Sequence, residues 1–314
     1  MSGFTAIISF IIGGRLPLKG EVELVLRWNA GIGESPAWSD PEQALFWIDI
    51  EGCQINRFDP SSGENRVWDL PTTPGCFVFR GGGGAIIPCQ DGIYDLDFAD
   101  GTLRCLEKAP FDPAIWRFND GKCDRQGRLW VGSMPLTLEE IGEIKGTLYR
   151  YDGAEILATM NIDIPNGLAF SPDGETMYRA ESLQRKIYAY DYDAKVGTFS
   201  NERIFAEFTP ELGFPDGATV DSGGGYWVAL ANGESGGHVA RIKPDGELDF
   251  YLDTPVSSPL MVAFGGPNFS TLYITSGKYL ASASHPNFEL CGSIFAVETD
   301  YCGIAESIFQ PRKA

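Results

Sequence analysis

The sequence predicts an all-β fold, a six-bladed β-propeller with four-stranded antiparallel blades around a central channel. Three observations lead there. Long amphipathic helical stretches are scarce, and short β-branched and aromatic runs recur between turn sequences such as "DPSSGE" at 59–64, "SPDGE" at 171–175 and "KPDGE" at 243–247. Gly 38 and Pro 20 supply the turns that many short strands need. Finally, a unit repeats with a period in the upper forties. That length suits a propeller blade, whose radial repetition leaves only short, protected edges. Six such units are too many for a β-sandwich.

Taken in order, Met1 to Gly20 reads as a peripheral extension, because its apolar run "FTAIISFII" lacks basic flanks and is too short to span a bilayer. Residues 21–314 then form a single propeller domain. Each unit pairs a strand anchored by an aromatic residue with one alternating like "IYAYD". The first, "LFWIDIEGCQINRFDPSSGE", is anchored by Trp47. In the second, "GGGGAIIPCQDGIYDLD", Ile86 or Ile87 replaces the aromatic. Trp130 anchors "LWVGSM…GTLYRYDG", Tyr178 anchors "MYRAESLQRKIYAYDYD", Trp227 anchors "YWVALANGESGGHVARIKPDGE" and Tyr273 anchors "LYITSG…GSIFAVETD". The last three intervals are 48, 49 and 46 residues, and the 83-residue gap from Trp47 to Trp130 holds the second unit.

Charge narrows the partners. A net charge of −19 opposes binding to nucleic acid or an anionic membrane surface, and it suits a cation site. Seven cysteines with no CxxC pair argue for a reducing compartment, and the expected location is cytoplasmic. Oligomeric state leaves no trace in the sequence.

Four polar residues keep step with the repeat. Glu34, in "GIGESPAWSD", lies 13 before Trp47; Asn119 lies 11 before Trp130; Asn166 lies 12 before Tyr178; Asp216 lies 11 before Trp227. Matching positions of successive blades surround one end of the channel, so these four side chains are expected to converge. Pro-Asn-Gly and Pro-Asp-Gly are ordinary turn sequences taken singly. Four in phase are harder to dismiss. Carboxylate and amide oxygens without sulfur or imidazole suit one divalent cation: Ca²⁺, Mg²⁺ or Mn²⁺, with Zn²⁺ and Fe²⁺ also compatible. Three protein ligands would leave positions for water and substrate.

At these residues the sequence resembles the gluconolactonase family, which includes regucalcin (senescence marker protein) and sugar lactonases. The matching segments are "GIGESPAWSDPEQALFWIDI", "RFNDGKCDRQGRLWVGSM", "IPNGLAFSPDGETMYRAES", "FPDGATVDSGGGYWVALANGE" and "VAFGGPNFSTLYITS", and together they run from about Glu21 to Glu298. The resemblance implies one divalent metal held by Glu34, Asn166 and Asp216, with Asn119 as a further ligand or a holder of water and substrate. It also implies a sugar contact from Arg117 and, from a lid, Glu143. The implied reaction is hydrolysis of a sugar (aldono-) lactone to the aldonic acid, with Asp216 as general base and Arg117 and Asn119 orienting the ring. Two features depart from the family pattern: Glu181-Ser182 after the fourth-blade strand, and the lengthened loop "ANGESGGHV". Both are expected to leave the metal ligands untouched.

Rival chemistries lack parts. "GESGG" at 233–237 fits a nucleophile-elbow pattern, but "HVARI" after it reads as a strand, and His238 lies only three residues past Ser235. His285, the other of two histidines, reads as a loop residue. "GGGGA" at 81–85 lacks a following Lys-Ser/Thr and reads as a turn into the second blade's inner strand. "DYDAKVGTFSNE" at 191–202 has Val196 where a calcium loop needs glycine. Cys123 reads as a buried core thiol. Two alternatives stay open: a calcium-binding propeller without turnover, and a broader metal-dependent esterase.

Overall fold

Six four-stranded antiparallel sheets form a ring in the computed structural model, which describes residues 18–137, 140, 143–232 and 236–312. The chain enters the ring through β1 (Glu23–Leu26). Blade 1 then runs outward through β2 (Gly33–Ser39), β3 (Ala44–Asp49), β4 (Gln54–Phe58) and β5 (Asn65–Asp69). Blade 2 is β6 (Val78–Arg80), β7 (Gly84–Cys89), β8 (Gly92–Asp97) and β9 (Leu103–Lys108). Blade 3 is β10 (Trp116–Cys123), β11 (Leu129–Pro135), β12 (Gly146–Tyr151) and β13 (Ile156–Ile162). Blade 4 follows as β14 (Pro165–Phe170), β15 (Thr176–Glu181), β16 (Lys186–Asp193) and β17 (Thr198–Glu207). Blade 5 is β18 (Phe214–Val220), β19 (Tyr226–Ala231), β20 (His238–Ile242) and β21 (Leu248–Asp253). Blade 6 takes β22 (Pro259–Gly265), β23 (Thr271–Ser276) and β24 (Ile294–Glu298), and β1 returns as its outer strand. The predicted architecture is the observed one.

Ring closure therefore depends on the pairing of β1 with β24, in which Glu23 faces Ala296 and Leu24 faces Phe295. The pairing begins earlier still: Leu18 bridges Thr299, and the Lys19 amide donates to the Glu298 carbonyl at 2.8 Å. The rest of the expected extension lies outside the described residues. A chain starting at Trp28 leaves the edge of β24 bare. It should lose about 2 kcal/mol, from a few net hydrogen bonds and the half-buried Val25 and Leu26. Thermal denaturation should register a drop of about 5 °C.

Apolar side chains fill six wedges, one between each pair of neighbouring blades. Successive residues of a strand point to opposite faces, so each second strand feeds two wedges. Trp130, Tyr178, Trp227 and Tyr273 all face the blade that follows. Trp47 instead faces blade 6, and Phe46 occupies the matching position toward blade 2. The expected anchor was one residue late, which flips the face. Ile86, facing blade 3, is the counterpart in blade 2. Counted from Phe46, Glu34 precedes its anchor by 12 residues, and the spread across the four polar residues narrows to 11 or 12.

The "GGGGA" turn joins β6 to β7, so it follows the inner strand of blade 2 and does not lead into it. "DYDAKVGTFSNE" spans the β16–β17 hairpin, and "HVARI" is β20. Gly233 to Ser235 of "GESGG" lie outside the described residues. Cys123 is buried, and all seven cysteines are free. Among the described residues no helix is long and apolar enough to cross a membrane.

Candidate active site

The four in-phase polar residues lie within the inner strands, not in turns. Each sits at a break in register with the neighbouring strand: Glu34/Ala37 in β2, Phe118/Gly121 in β10, Asn166/Ala169 in β14 and Pro215/Ala218 in β18. A bulge of this kind re-aims a side chain and frees it from the pleat. In β14 the bulge requires a left-handed residue, supplied by Gly167 with φ +59°. A Cβ there would lie 2.3 Å from the Tyr226 hydroxyl, which donates to the Gly167 carbonyl at 2.7 Å.

Two blades contribute no such group, for visible reasons. Blade 2 presents Pro74-Gly75 at this level, and a Cβ on Gly75 would meet the Phe118 backbone at 2.4 Å. Blade 6 presents Leu260, whose side chain lines the resulting cavity.

Glu34, Asn119, Asn166 and Asp216, from four blades, do meet on one cavity of about 390 Å³, together with Arg117 and Ser182. Arg117 Nη1 donates to Asn119 Oδ1 at 2.7 Å and to the Phe118 carbonyl at 2.9 Å. Asn119 Nδ2 donates to Asn166 Oδ1 at 2.8 Å and to the Pro165 carbonyl at 2.9 Å. Asn166 Nδ2 donates to Ser182 Oγ at 2.9 Å, and that hydroxyl donates to the Pro215 carbonyl at 2.7 Å. One polarised chain thus links blades 3, 4 and 5. Ser182 touches Asn166 directly, which corrects the expectation that the Glu181-Ser182 departure would leave the ligands alone. Glu181 acts one step away: it accepts from the Ile164 amide at 3.0 Å and pairs with Arg179 at 2.7 Å.

The carboxylates have no such partners. Asp216 Oδ1 is buried without a hydrogen bond among the described residues. Burial, then the Asp120 charge, pushes the Asp216 carboxyl up to about 8, and Arg117 pulls the other way. Glu34 is raised well above the usual carboxylate range, first by burial and then by Asp216 and Asp120, against Arg117. Burial also lowers the Arg117 guanidinium from its ordinary value. Unpaired buried carboxylates cost several kcal/mol apiece unless neutralised. A divalent cation would supply the missing partner, and the all-oxygen donor set fits one. Among the described residues no three His, Cys, Asp or Glu side chains form a metal-binding group, so a cation here would have to draw on amide oxygens as well.

Asp120, which spacing missed, does not line the cavity, but its charge acts on both Glu34 and Asp216. It is 1% exposed, its Oδ2 accepts from the Leu168 amide at 2.9 Å, and its Oδ1 is unpaired. Its only sequence signal was adjacency to Asn119. Glu143, assigned to a lid, lies exposed in the turn before β12 and is not among the residues lining the cavity.

The class defined by this fold and site is a six-bladed propeller whose inner strands bring two carboxylates, two amides and an arginine onto one cavity. Residues 32–278 match the family profile described as SMP-30/Gluconolactonase/LRE-like region, and the chain belongs to that family. It is 38% identical over 295 residues to the 6-deoxy-6-sulfogluconolactonase of Pseudomonas putida, covering 92% of this chain and 98% of that protein. It is 34% identical to regucalcin of Xenopus laevis, covering 82% and 86%. Among solved structures, a luciferin-regenerating enzyme matches with a TM-score of 0.83 at 28% identity, covering 92% of this chain and 99% of that one.

Proposed function

We propose that the protein hydrolyses a sugar (aldono-) lactone to the aldonic acid, using one divalent cation held by Glu34, Asn166 and Asp216. The observation that carries this reading is the meeting of two buried carboxylates, Glu34 and Asp216, the second with an unpartnered Oδ1 among the described residues, with an Arg-Asn pair on one cavity. Its relationship to a protein named as a lactonase supports the substrate class. When bound, a divalent cation supplies a Lewis-acid charge that polarises a carbonyl and favours deprotonated water near neutral pH.

The remaining work falls to side chains of this chain. Asp216, which lines the cavity, would accept a proton from an attacking water. Asn119 Oδ1 is already engaged by the positive Arg117 guanidinium, which disfavours a cation at the same oxygen. That leaves Asn166 as the amide ligand and makes Asn119 a group that holds the Arg117 guanidinium toward the lactone ring. Arg117 has donors besides Nη1 for ring hydroxyls. An ion buffer would need no such arginine, so the pair favours turnover over storage. The free cysteines and acidic charge fit the proposed cytoplasmic location.

The direct test is a pH-stat screen of aldonolactones and aryl esters on metal-stripped protein reconstituted with single ions. Cation-dependent lactone opening is expected; cation binding without turnover would leave only the storage reading. Arg117→Ala should raise KM about tenfold, with a smaller fall in kcat, because the lost contact is shared by bound lactone and transition state. A change in kcat alone would place Arg117 elsewhere in the reaction.

A further inference from the structure

The inner floor of the cavity is polar, and its outer wall is not. Met134, Ile164, Leu183, Phe214 and Leu280 line the approach, with Tyr279 beside them. Large apolar side chains are seldom left open to water in a cluster. Leu183, Phe214, Tyr279 and Leu280 are 44%, 40%, 54% and 47% exposed, and all four border this one cavity. They come from three different places: the turn after β15, the start of β18 and the loop after β23. Phe214 is also held in place, since the Arg185 guanidinium carbon sits 4.1 Å from its ring centroid. An apolar group of a bound molecule would find contact surface here from three separate elements.

Hydroxyl satisfaction points the same way. Both Asn119 amide protons and the Ser182 hydroxyl proton are already donated within the protein. Among the described lining residues, the side-chain donors left outside the cage are those of Arg117 and the Tyr279 hydroxyl. A hydroxyl set against Leu183, Phe214 and Leu280 would find no side-chain partner there, whereas a hydrocarbon group would bury apolar surface.

Resting on the lactonase reading above, we propose that the preferred substrate is a deoxy sugar lactone. Its ring hydroxyls would face Arg117 and the cage, and its exocyclic end would be a hydrocarbon group packed on Phe214, Leu183 and Leu280. The hydrocarbon end in place of hydroxymethyl is the specificity element. Apolar pockets discriminate against an added hydroxyl by about 10- to 100-fold, so that range is expected in kcat/KM.

The test compares three purified lactones on the cation-loaded full chain: glucono-1,5-lactone, its 6-deoxy analogue ending in methyl, and its 6-deoxy-6-sulfo analogue. The methyl-ended lactone should exceed the hydroxymethyl one about tenfold or more in kcat/KM. Phe214→Ser and Leu183→Ser, both at exposed positions, should bring that ratio toward one. A wild-type ratio of one or below overturns the proposal, as does a preference for the sulfonate or a ratio unmoved in both variants. The wild-type ratio decides even where a variant fails to fold. If the hydroxymethyl lactone is opened fastest, only this inference falls; if none is opened faster than the spontaneous rate, the lactonase reading falls with it.

Discussion

Asp216→Asn is expected to abolish turnover and, above about pH 8, to make the cation-free protein more stable. The two effects share one cause. The wild-type carboxylate is buried, has no hydrogen bond at Oδ1 among the described residues, and is pushed up to about 8 by burial and Asp120. Ionising it without a cation leaves a charge in a poorly solvating place. An amide of the same shape removes that charge and keeps the volume. The cation-free variant should therefore melt a few degrees higher at pH 9 and almost unchanged at pH 5, where the native carboxyl is already protonated. With cation at about 100 times its Kd, the wild type should gain about 2.7 kcal/mol, or roughly 5–10 °C. The variant should gain little. Its kcat/KM should fall about 1,000-fold or more, because ligand and proton acceptor disappear together. Full cation-dependent activity in Asp216→Asn would end the proposed chemistry, whatever its melting temperature. Functional sites that trade stability for chemistry behave in this paired way.

Why four of the site residues were legible, and others were not, follows from what a repeat encodes. A propeller returns the chain to the channel once per blade, so equal sequence spacing becomes equal height on the axis. Glu34, Asn119, Asn166 and Asp216 could be found that way. The one misplaced anchor, Trp47 in place of Phe46, shows the limit: in "LFWID" both faces of the strand are apolar, so alternation cannot say which aromatic faces which wedge. Ser182 was invisible as a partner because it lies on a short turn, and its contacts to Asn166 and Pro215 cross 16 and 33 residues of chain. Asp120 follows Asn119 directly, and strand alternation would have sent it away from the site. The bulge in β10 is what keeps both near the axis. The apolar wall was missed for a different reason. Leu183, Phe214 and Leu280 look like core residues in the sequence, and only the ring shows that they meet at an opening.

Acidity supplies the second large effect, because the cage and the fold compete for the same protons. Glu34 and Asp216 both have folded-state values above those of the unfolded chain, which lie near 4. Between about pH 4 and pH 8 the cation-free folded protein retains on Asp216 a proton that the unfolded chain has released, and Glu34 acts in the same direction, so stability should fall as pH rises through that window. Cation binding runs in the opposite direction, since ionised carboxylates are the ligands and protons must leave first. Affinity should improve by up to about tenfold per pH unit for each proton displaced. Melting curves with and without cation should accordingly lie close together near pH 5 and separate steadily toward pH 9. Titration calorimetry in two buffers of different ionisation enthalpy should report proton release at pH 7. In Glu34→Gln and Asp216→Asn that release should shrink. Parallel melting curves across the range would mean that the cation sits elsewhere. A divergence that survives both substitutions would mean the same, because no other pair of carboxylates described here combines deep burial, raised affinity for protons and a place on the cavity wall.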